Sequence, residues 1–345
     1  MMPSDSAPLL SVVVVTRDTA RTLRPIVASL QAQTIAASIE LVIVAPTERD
    51  GALPEADRRP FHSVQVVAAG RITNRGRAAA CGVLAATAPV VALSENHCFP
   101  EHDWAAQTLA CHTGPWVGVG PAVVNANPAS PISQAMHAFG YGSFPRSGAA
   151  GVVTELPLHN SSFRREVLPH ALDELQGLLG DERNLHRNLR ARGLDLYFDP
   201  RPVKHHINES TWWLISGLSY SSGRRYGGSR SRTWPLWRRA AYVLSTPLLS
   251  MPIARNVWSK LSPAGDVRKS PALVFVIWYG ALLHAVGESV SYLIGPCDEF
   301  PFVEHEEFLI RERLGRHAIG SPEVSRFVSR LDDAWTGEPA PGHEP

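Results

Sequence analysis

The sequence predicts an α/β fold, a mostly parallel sheet flanked by helices, followed by a helical membrane-associating region. Three observations predict it. Short apolar runs of four or five residues alternate with helical patterns in the first half of the chain. A basic, Trp-rich block begins near residue 210, and the run from Ala272 to Ile294 is almost uninterruptedly apolar. At 345 residues, 44% hydrophobic and 19% charged, the chain is long enough to bury a full α/β core and to form a second unit.

Ser11–Val15 reads as a strand buried on both faces, with Thr16–Thr19 as the loop at its tip. Leu23, Ile26, Val27 and Leu30 then recur at helical spacing, and Asp18 or Thr19 stands where a cap belongs. Glu40–Val44 is a second buried strand ending at Ala45-Pro46-Thr47, and Ser63–Ala68 is a third. Gly76–Ala86 is an Ala-rich helix whose small side chains permit close packing on a sheet, and it leads into the strand Val90–Leu93. This alternation means parallel βαβ units, in which ligands bind outside the carboxyl ends of the strands. The fourth strand ends there with Ser94-Glu95-Asn96-His97. A carboxylate, an amide and an imidazole at one strand tip are competent for a metal or a phosphate, although a plain polar turn can carry the same residues.

Trp104–Cys111 continues as a helix, Val117–Val119 and Val123–Val124 as short strands, and residues 125–153 as a long active-site loop. Residues 159–165 precede a helical turn. Leu178-Leu179-Gly180-Asp181-Glu182 opens a helix through Leu185, Leu189 and Arg192 that Gly193 stops. Leu196–Phe198 and Pro202–His206 read as two further strands. Beyond residue 210, Trp212–Leu218 and Trp234–Ile253 are apolar, the latter with an Arg238-Arg239 face. Ala272–Ile294 contains only His284 and Glu288 as ionisable groups and is long enough to span a bilayer. A spanning helix, an interfacial helix or hairpin, and the buried helix of a small soluble subdomain all fit that composition. The expected boundaries are a catalytic domain over 9–207, a basic helical region over 208–317, and a frayed tail over 318–345.

The net charge of +1 hides an asymmetry: residues 211–270 carry ten Lys and Arg against a single acid, Asp266. A basic block interleaved with Trp and Tyr suggests an anionic membrane surface or a phosphate-bearing ligand. It carries no nucleic-acid module, which argues against a nucleic-acid partner. Four cysteines without regular spacing, and an N-terminus lacking the pattern of a secretory signal, predict a reduced, cytoplasmic-facing protein. His97-Cys98, His102 and Cys111-His112 match no structural zinc pattern.

Taken in order, these residues resemble a known family. Ser11–Asp18, Thr22-Leu23, Ser29–Thr34 and Glu40–Val44 resemble the opening of the family 2 inverting glycosyltransferases of GT-A fold. Arg77–Gly82 sits where that family has Ala-Arg-Asn-x-Gly, and Leu93–Pro100 with Trp104 sits where it has Asp-x-Asp, Pro and Trp. Asn160, Phe163–Arg165, Gly180–Glu182, Leu185, Leu189–Gly193, Tyr197, Asp199-Pro200 and His205 complete the order over about residues 9–207.

The resemblance implies an inverting transfer of a sugar from a nucleoside-diphosphate donor to a hydroxyl, in cell-surface glycan or glycolipid synthesis. Donor contacts would fall on Thr16, Arg17, Asp18, Ala45, Arg77, Cys81, Ser94 and Glu95, with the basic Arg224 and Arg225 closing over the diphosphate. Glu95-Asn96-His97 replaces Asp-x-Asp, making Glu95 and His97 metal ligands, with His205 or His206 as the third. Carboxylate and imidazole donors together suit Mn²⁺ better than Mg²⁺. Glu182 takes the position of the family's base, with Asp181 beside it; a plain helix N-terminal acid is the alternative reading of either. Two departures stand out. Ala45 occupies the place of the aspartate that usually holds the nucleoside, with Glu48 and Asp50 nearby, and Ala80-Cys81 replaces the Arg-Asn pair. These losses keep a second reading open, a catalytically degenerate GT-A protein acting as a membrane-docked sugar-binding or scaffold subunit.

Overall fold

The computed structural model describes residues 7–17, 20–231, 234–261 and 270–295, apart from the side chains of 20–22 and 229. Asp18 and the tail from 318 lie outside the described residues. The chain divides into two compact units. One contains the chain up to Ala126 and Gly148–His206; the other contains Asn127–Ser147 and the described residues from Ile207 on.

The first unit is an α/β layer. Its strands are β1 (Leu10–Val15), β2 (Ile39–Ala45), β3 (Ser63–Ala68), β4 (Val90–Ser94), β5 (Cys98–Pro100), β6 (Gly118–Asn125), β7 (Gly151–Val153), β8 (Ser162–Arg164) and β9 (Leu196–His206). They form one sheet in the order β3-β2-β1-β4-β8-β6-β9-β5, with β7 also paired to β9. The long ladders are parallel: β1 with β2 and β4, β2 with β3, and β6 with β9. β8 runs antiparallel between β4 and β6. Val12–Val14, Leu41–Val44 and Val91–Leu93 are buried, as runs apolar on both faces require. Each Val, Leu or Ile side chain among them contributes about 1.5–3 kcal/mol by leaving water. The flanked, mostly parallel sheet of the sequence reading is therefore present.

The helices of this unit are α1 (Ala20–Gln31), α2 (Glu48–Gly51), α3 (Glu55–Arg58), α4 (Arg75–Ala85) and α5 (Trp104–Cys111); α6 (Pro131–Gly140) belongs to the second unit, and α7 (Leu172–Leu179) and α8 (Glu182–Ala191) return to the first. Asn74 caps α4 by accepting from the Arg77 backbone N–H, and Asp181 caps α8 by accepting from that of Arg183. Gly193 follows α8 at φ 76°, the left-handed stop that its position predicts.

Three sequence readings are corrected. Residues 125–153 are not one loop: Ser130 caps α6 with Pro131 in its first turn, and β7 follows. The strands expected at 117–119 and 123–124 are one strand, β6. Those expected at 196–198 and 202–206 are likewise one strand, β9, whose register against β6 shifts between Gly120 and Ala122. Pro200 and Pro202 break the apolar pattern in β9, and prolines are tolerated at such a bulge.

The second unit adds α9 (Trp212–Ser231), α10 (Leu236–Leu244), α11 (Thr246–Ser259) and α12 (Pro271–Ile294) to α6. Ile132, Ala135, Ile215, Val257, Leu273 and Val276 belong to its core. α12 is long and apolar enough to cross a membrane, a test that a core helix also passes. Its acid does not face outward: Glu288 is buried, paired with Arg230 Nη1 at 2.9 Å and hydrogen-bonded by the Tyr292 hydroxyl.

Candidate metal and donor site

The fourth strand delivers Glu95 to the carboxyl edge of the sheet, and a tight turn closed by Cys98 N–H on the Glu95 carbonyl (3.3 Å) leads into β5. β5 then pairs antiparallel with the end of β9, with Cys98 opposite His206. That register brings together residues 95, 97 and 206, whose candidate ligand atoms all lie within 4.8 Å of one another. His206 Nε2 is 3.2 Å from Glu95 Oε2, and His97 Nε2 is 4.0 Å from Glu95 Oε1. All three side chains are buried.

The donor set fits a divalent ion: one carboxylate and two imidazoles, close enough to share one centre. The surroundings fit as well. His97 Nδ1 donates to Asn96 Oδ1 at 2.9 Å, fixing the tautomer that turns Nε2 toward Glu95. Asn160 Nδ2 donates to Glu95 Oε2 at 2.6 Å, and Arg75 Nη1 lies 3.3 Å from Oε1. Burial opposes ionisation of Glu95, but His97, His206 and the Arg75 guanidinium together hold its carboxyl well below the usual carboxylate range.

The histidine of this strand end that joins the candidate group is His206 rather than His205. Successive strand residues point to opposite faces, and His205 Nε2 instead contacts Glu101 Oε1 at 3.0 Å. Beneath the triad, Lys204 is fully buried, donating to Ser94 Oγ at 2.9 Å and Asn160 Oδ1 at 3.2 Å, with its ammonium 4.7 Å from the Trp104 ring centre. Burial lowers its ammonium to about 8. Ser94, expected to touch the donor, thus receives the Lys204 ammonium.

An open cavity of about 380 Å³ lies at the carboxyl ends of β1 to β3, lined by Arg17, Pro46, Thr47, Gly70, Arg71 and Ile72. Arg17, expected to contact the donor, lines this cavity. Thr16 and Ala45 are buried in the strand ends behind it. Thr47 caps α2 and its hydroxyl donates to Asp50 Oδ2 at 2.6 Å.

Arg77, expected to contact the donor, does not turn toward Glu95, and Arg75 does. Arg77 is exposed and reaches Gln176 Oε1 at 3.2 Å, while Arg75, unremarked in the sequence, turns inward to Glu95. Cys81 is half-buried on α4. Arg224 and Arg225 lie on α9 of the second unit, where Arg224 is buried and donates to the Gly295 carbonyl at 3.3 Å.

The α8 N-terminus is fixed by a close approach: a Cβ on Gly76 would lie 2.5 Å from the Gly180 nitrogen. Asp181 caps its own helix and pairs with Arg183 Nε at 2.9 Å. Glu182 is buried and doubly held, accepting from the His159 backbone N–H at 2.8 Å and contacting His159 Nδ1 at 2.6 Å. Burial works to raise its carboxyl, but His159 and Arg75 outweigh that and hold it below its ordinary value.

The sequence reading missed Arg75, His159, Lys204 and the second arginine of the cavity, Arg71. Of the side chains that hold Glu95 in place, Asn160 was marked by the resemblance.

No protein-family model matches the sequence, and no curated protein matches it significantly. The chain is similar in structure to GalNAc-T7 with UDP, GalNAc and Mn²⁺ (TM-score 0.42, 16% identity, 59% of this chain and 44% of that one). It is also similar to the mannosyltransferase PcManGT from Pyrobaculum calidifontis in complex with GDP-Man and Mn²⁺ (0.42, 15%, 96% and 87%). A third is S. aureus TarS 1-349 in complex with UDP (0.41, 13%, 83% and 91%). The chain thus spans less than half of the first of these structures. Likenesses this remote assign no reaction.

Proposed function

We propose that this chain is a glycosyltransferase that moves a sugar, with inversion, from a nucleoside-diphosphate donor to an acceptor hydroxyl. The observation that carries the reading is the buried Glu95–His97–His206 group at the carboxyl edge of the sheet, on the same edge as the arginine-lined cavity. In this reading Arg17 and Arg71 receive the nucleotide end of the donor, with charge-assisted hydrogen bonds to its anionic groups. Glu95, His97 and His206 would hold a divalent ion, Mn²⁺ in preference to Mg²⁺, which supplies Lewis acidity for the departing diphosphate. Arg75 adds a fixed positive charge beside Glu95, and the His159–Glu182 pair accepts the proton of the acceptor hydroxyl.

The loss of the Arg-Asn pair at Ala80-Cys81 favours a degenerate scaffold subunit, but Arg75 of the same helix offers a guanidinium beside Glu95. We read the helical unit as resting on the cytoplasmic side of the cell membrane, where the acceptor would be a lipid-linked or cell-surface glycan. Trp213, Leu236, Trp237, Leu244 and Leu248 are exposed together with Arg238, a pairing suited to an anionic lipid surface.

Calorimetry of the full chain with Mn²⁺ and UDP-, GDP- and dTDP-sugars tests the reading. Metal-dependent binding of one donor, lost in a Glu95→Ala, His97→Ala double variant of unchanged circular dichroism, is the expected result. Absence of binding by every donor overturns the enzyme reading, and binding without any turnover supports the scaffold. Co-sedimentation with phosphatidylglycerol vesicles, weakened by Trp237→Ser with Leu244→Ser, tests the membrane assignment.

A further inference from the structure

His159 is the only non-glycine among the described residues with a left-handed backbone, φ 65°. For a residue with a Cβ that conformation costs about 1–2 kcal/mol and persists only where the surroundings impose it. Here it does something specific. The turn lets the backbone N–H and the ring Nδ1 of one residue converge on the two oxygens of one carboxylate, Glu182, at 2.8 and 2.6 Å. The next residue, Asn160, reaches the other way to Glu95 at 2.6 Å. The strained turn thus fixes an imidazole one residue from the support of the candidate metal group.

We propose that His159, rather than Glu182, is the catalytic base of the transfer, and that Glu182 is the positioning residue that holds its imidazole. The assignment rests on the glycosyl-transfer reading and deepens it. Both Glu182 oxygens are engaged and its side chain is 2% exposed, so an incoming hydroxyl reaches neither without displacing His159; the His159 side chain is 24% exposed. A carboxylate that accepts from Nδ1–H selects the tautomer whose basic nitrogen is Nε2. The same contacts stabilise Glu182 as an anion, which makes it a weaker proton acceptor and a better counterion for an imidazolium.

The step balances. The acceptor oxygen forms its bond to the anomeric carbon as its proton passes to His159 Nε2. The bond from that carbon to the diphosphate oxygen breaks, its electron pair leaving on the nucleoside diphosphate. Glu182 stays ionised throughout and offsets the imidazolium charge.

Two measurements on the full chain test this. The first is ¹⁵N NMR of histidine-labelled protein without ligand: His159 is expected as the Nδ1–H tautomer, and Glu182→Ala is expected to abolish that preference. The second is Mn²⁺-supported release of nucleoside diphosphate from whichever UDP-, GDP- or dTDP-sugar binds, with water as the acceptor. His159→Asn keeps a residue that tolerates the left-handed turn, and His159→Gly removes the strain altogether. Both are expected to bind the donor within about threefold of wild type and to release product about 10²–10⁴-fold more slowly. Added imidazole is expected to restore part of the rate to His159→Gly, which a purely structural role would not allow. Wild-type release by the His159 variants, or an unchanged tautomer in Glu182→Ala, overturns the assignment alone. Absence of any donor binding overturns the glycosyl-transfer reading and the assignment with it.

Discussion

Asn160 Nδ2 donates to Glu95 Oε2 at 2.6 Å while Asn160 Oδ1 accepts from the buried Lys204 ammonium at 3.2 Å. One amide therefore ties a candidate metal ligand to a buried lysine of β9. Groups that orient a ligand in this way typically govern metal affinity by about 10–100-fold. Asn160→Ala is accordingly expected to weaken Mn²⁺ binding in that range while the far-ultraviolet circular dichroism stays unchanged. Manganese titration followed by electron paramagnetic resonance reads it directly, and wild-type affinity in the variant would remove Asn160 from the site.

The alternation of β9 makes a sharper prediction for two neighbours. His206→Ala removes one of three clustered ligands and is expected to reduce Mn²⁺ affinity by more than about 100-fold, beyond the effect of losing a supporting group. His205→Ala is expected to leave that affinity within about threefold, because its ring contacts Glu101 at 3.0 Å on the other face. Equal losses in the two variants would mean that the strand faces are assigned wrongly.

What the sequence disclosed follows from the range of the interactions involved. Val12–Val14 and Leu41–Val44 announce buried parallel strands because burial on both faces demands unbroken apolar runs. Glu95 and His97 are local to one strand tip and were legible with it. His206 could be narrowed only to a pair, since its register against Cys98 depends on pairing between segments more than a hundred residues apart. β7 and β8 are three residues each, too short to show any period. Arg75 and Arg77 are both consistent with a helix start, and only the packing of Gly76 against Gly180 decides which turns inward. The His159–Glu182 clamp rests on a left-handed residue that no local pattern announces.

His112 gives a pH prediction away from the site. It is buried, its Nε2 lies 2.9 Å from Ser162 Oγ, and burial together with Arg164 lowers its imidazole from 6.5 to about 4. Between those values the unfolded chain binds a proton that the folded chain refuses, so stability falls as pH drops from about 6.5 to 4 and the penalty is complete below 4. The full effect is on the order of 3 kcal/mol. His112→Gln abolishes this contribution. It is expected to be less stable than wild type by about 1 kcal/mol at pH 7, through its weaker fit to Ser162, and to regain that deficit or better at pH 4.5. Urea denaturation at the two pH values measures the difference; a deficit that is constant with pH would show that His112 does not titrate in this window.

The helical unit depends on contacts that tolerate no side chain. A Cβ on Gly287 of α12 would lie 2.1 Å from the Tyr220 carbonyl oxygen of α9, and one on Gly223 would lie 1.9 Å from that of His284. The intruded atoms are backbone, so relief requires the two helices to separate, and separation disturbs the pairing of Glu288 with Arg230. Gly287→Ala is therefore expected to cost the helical unit about 1–3 kcal/mol or more, the range for overpacking a tight interface. Gly295→Ala meets no neighbouring atom and makes a control, although its φ of 91° adds local strain. Hydrogen exchange should show faster exchange across α9 and α12 in Gly287→Ala, with β1, β2 and β4 unchanged. Wild-type protection of α9 and α12 in that variant would mean that the helices pack less closely than these distances require.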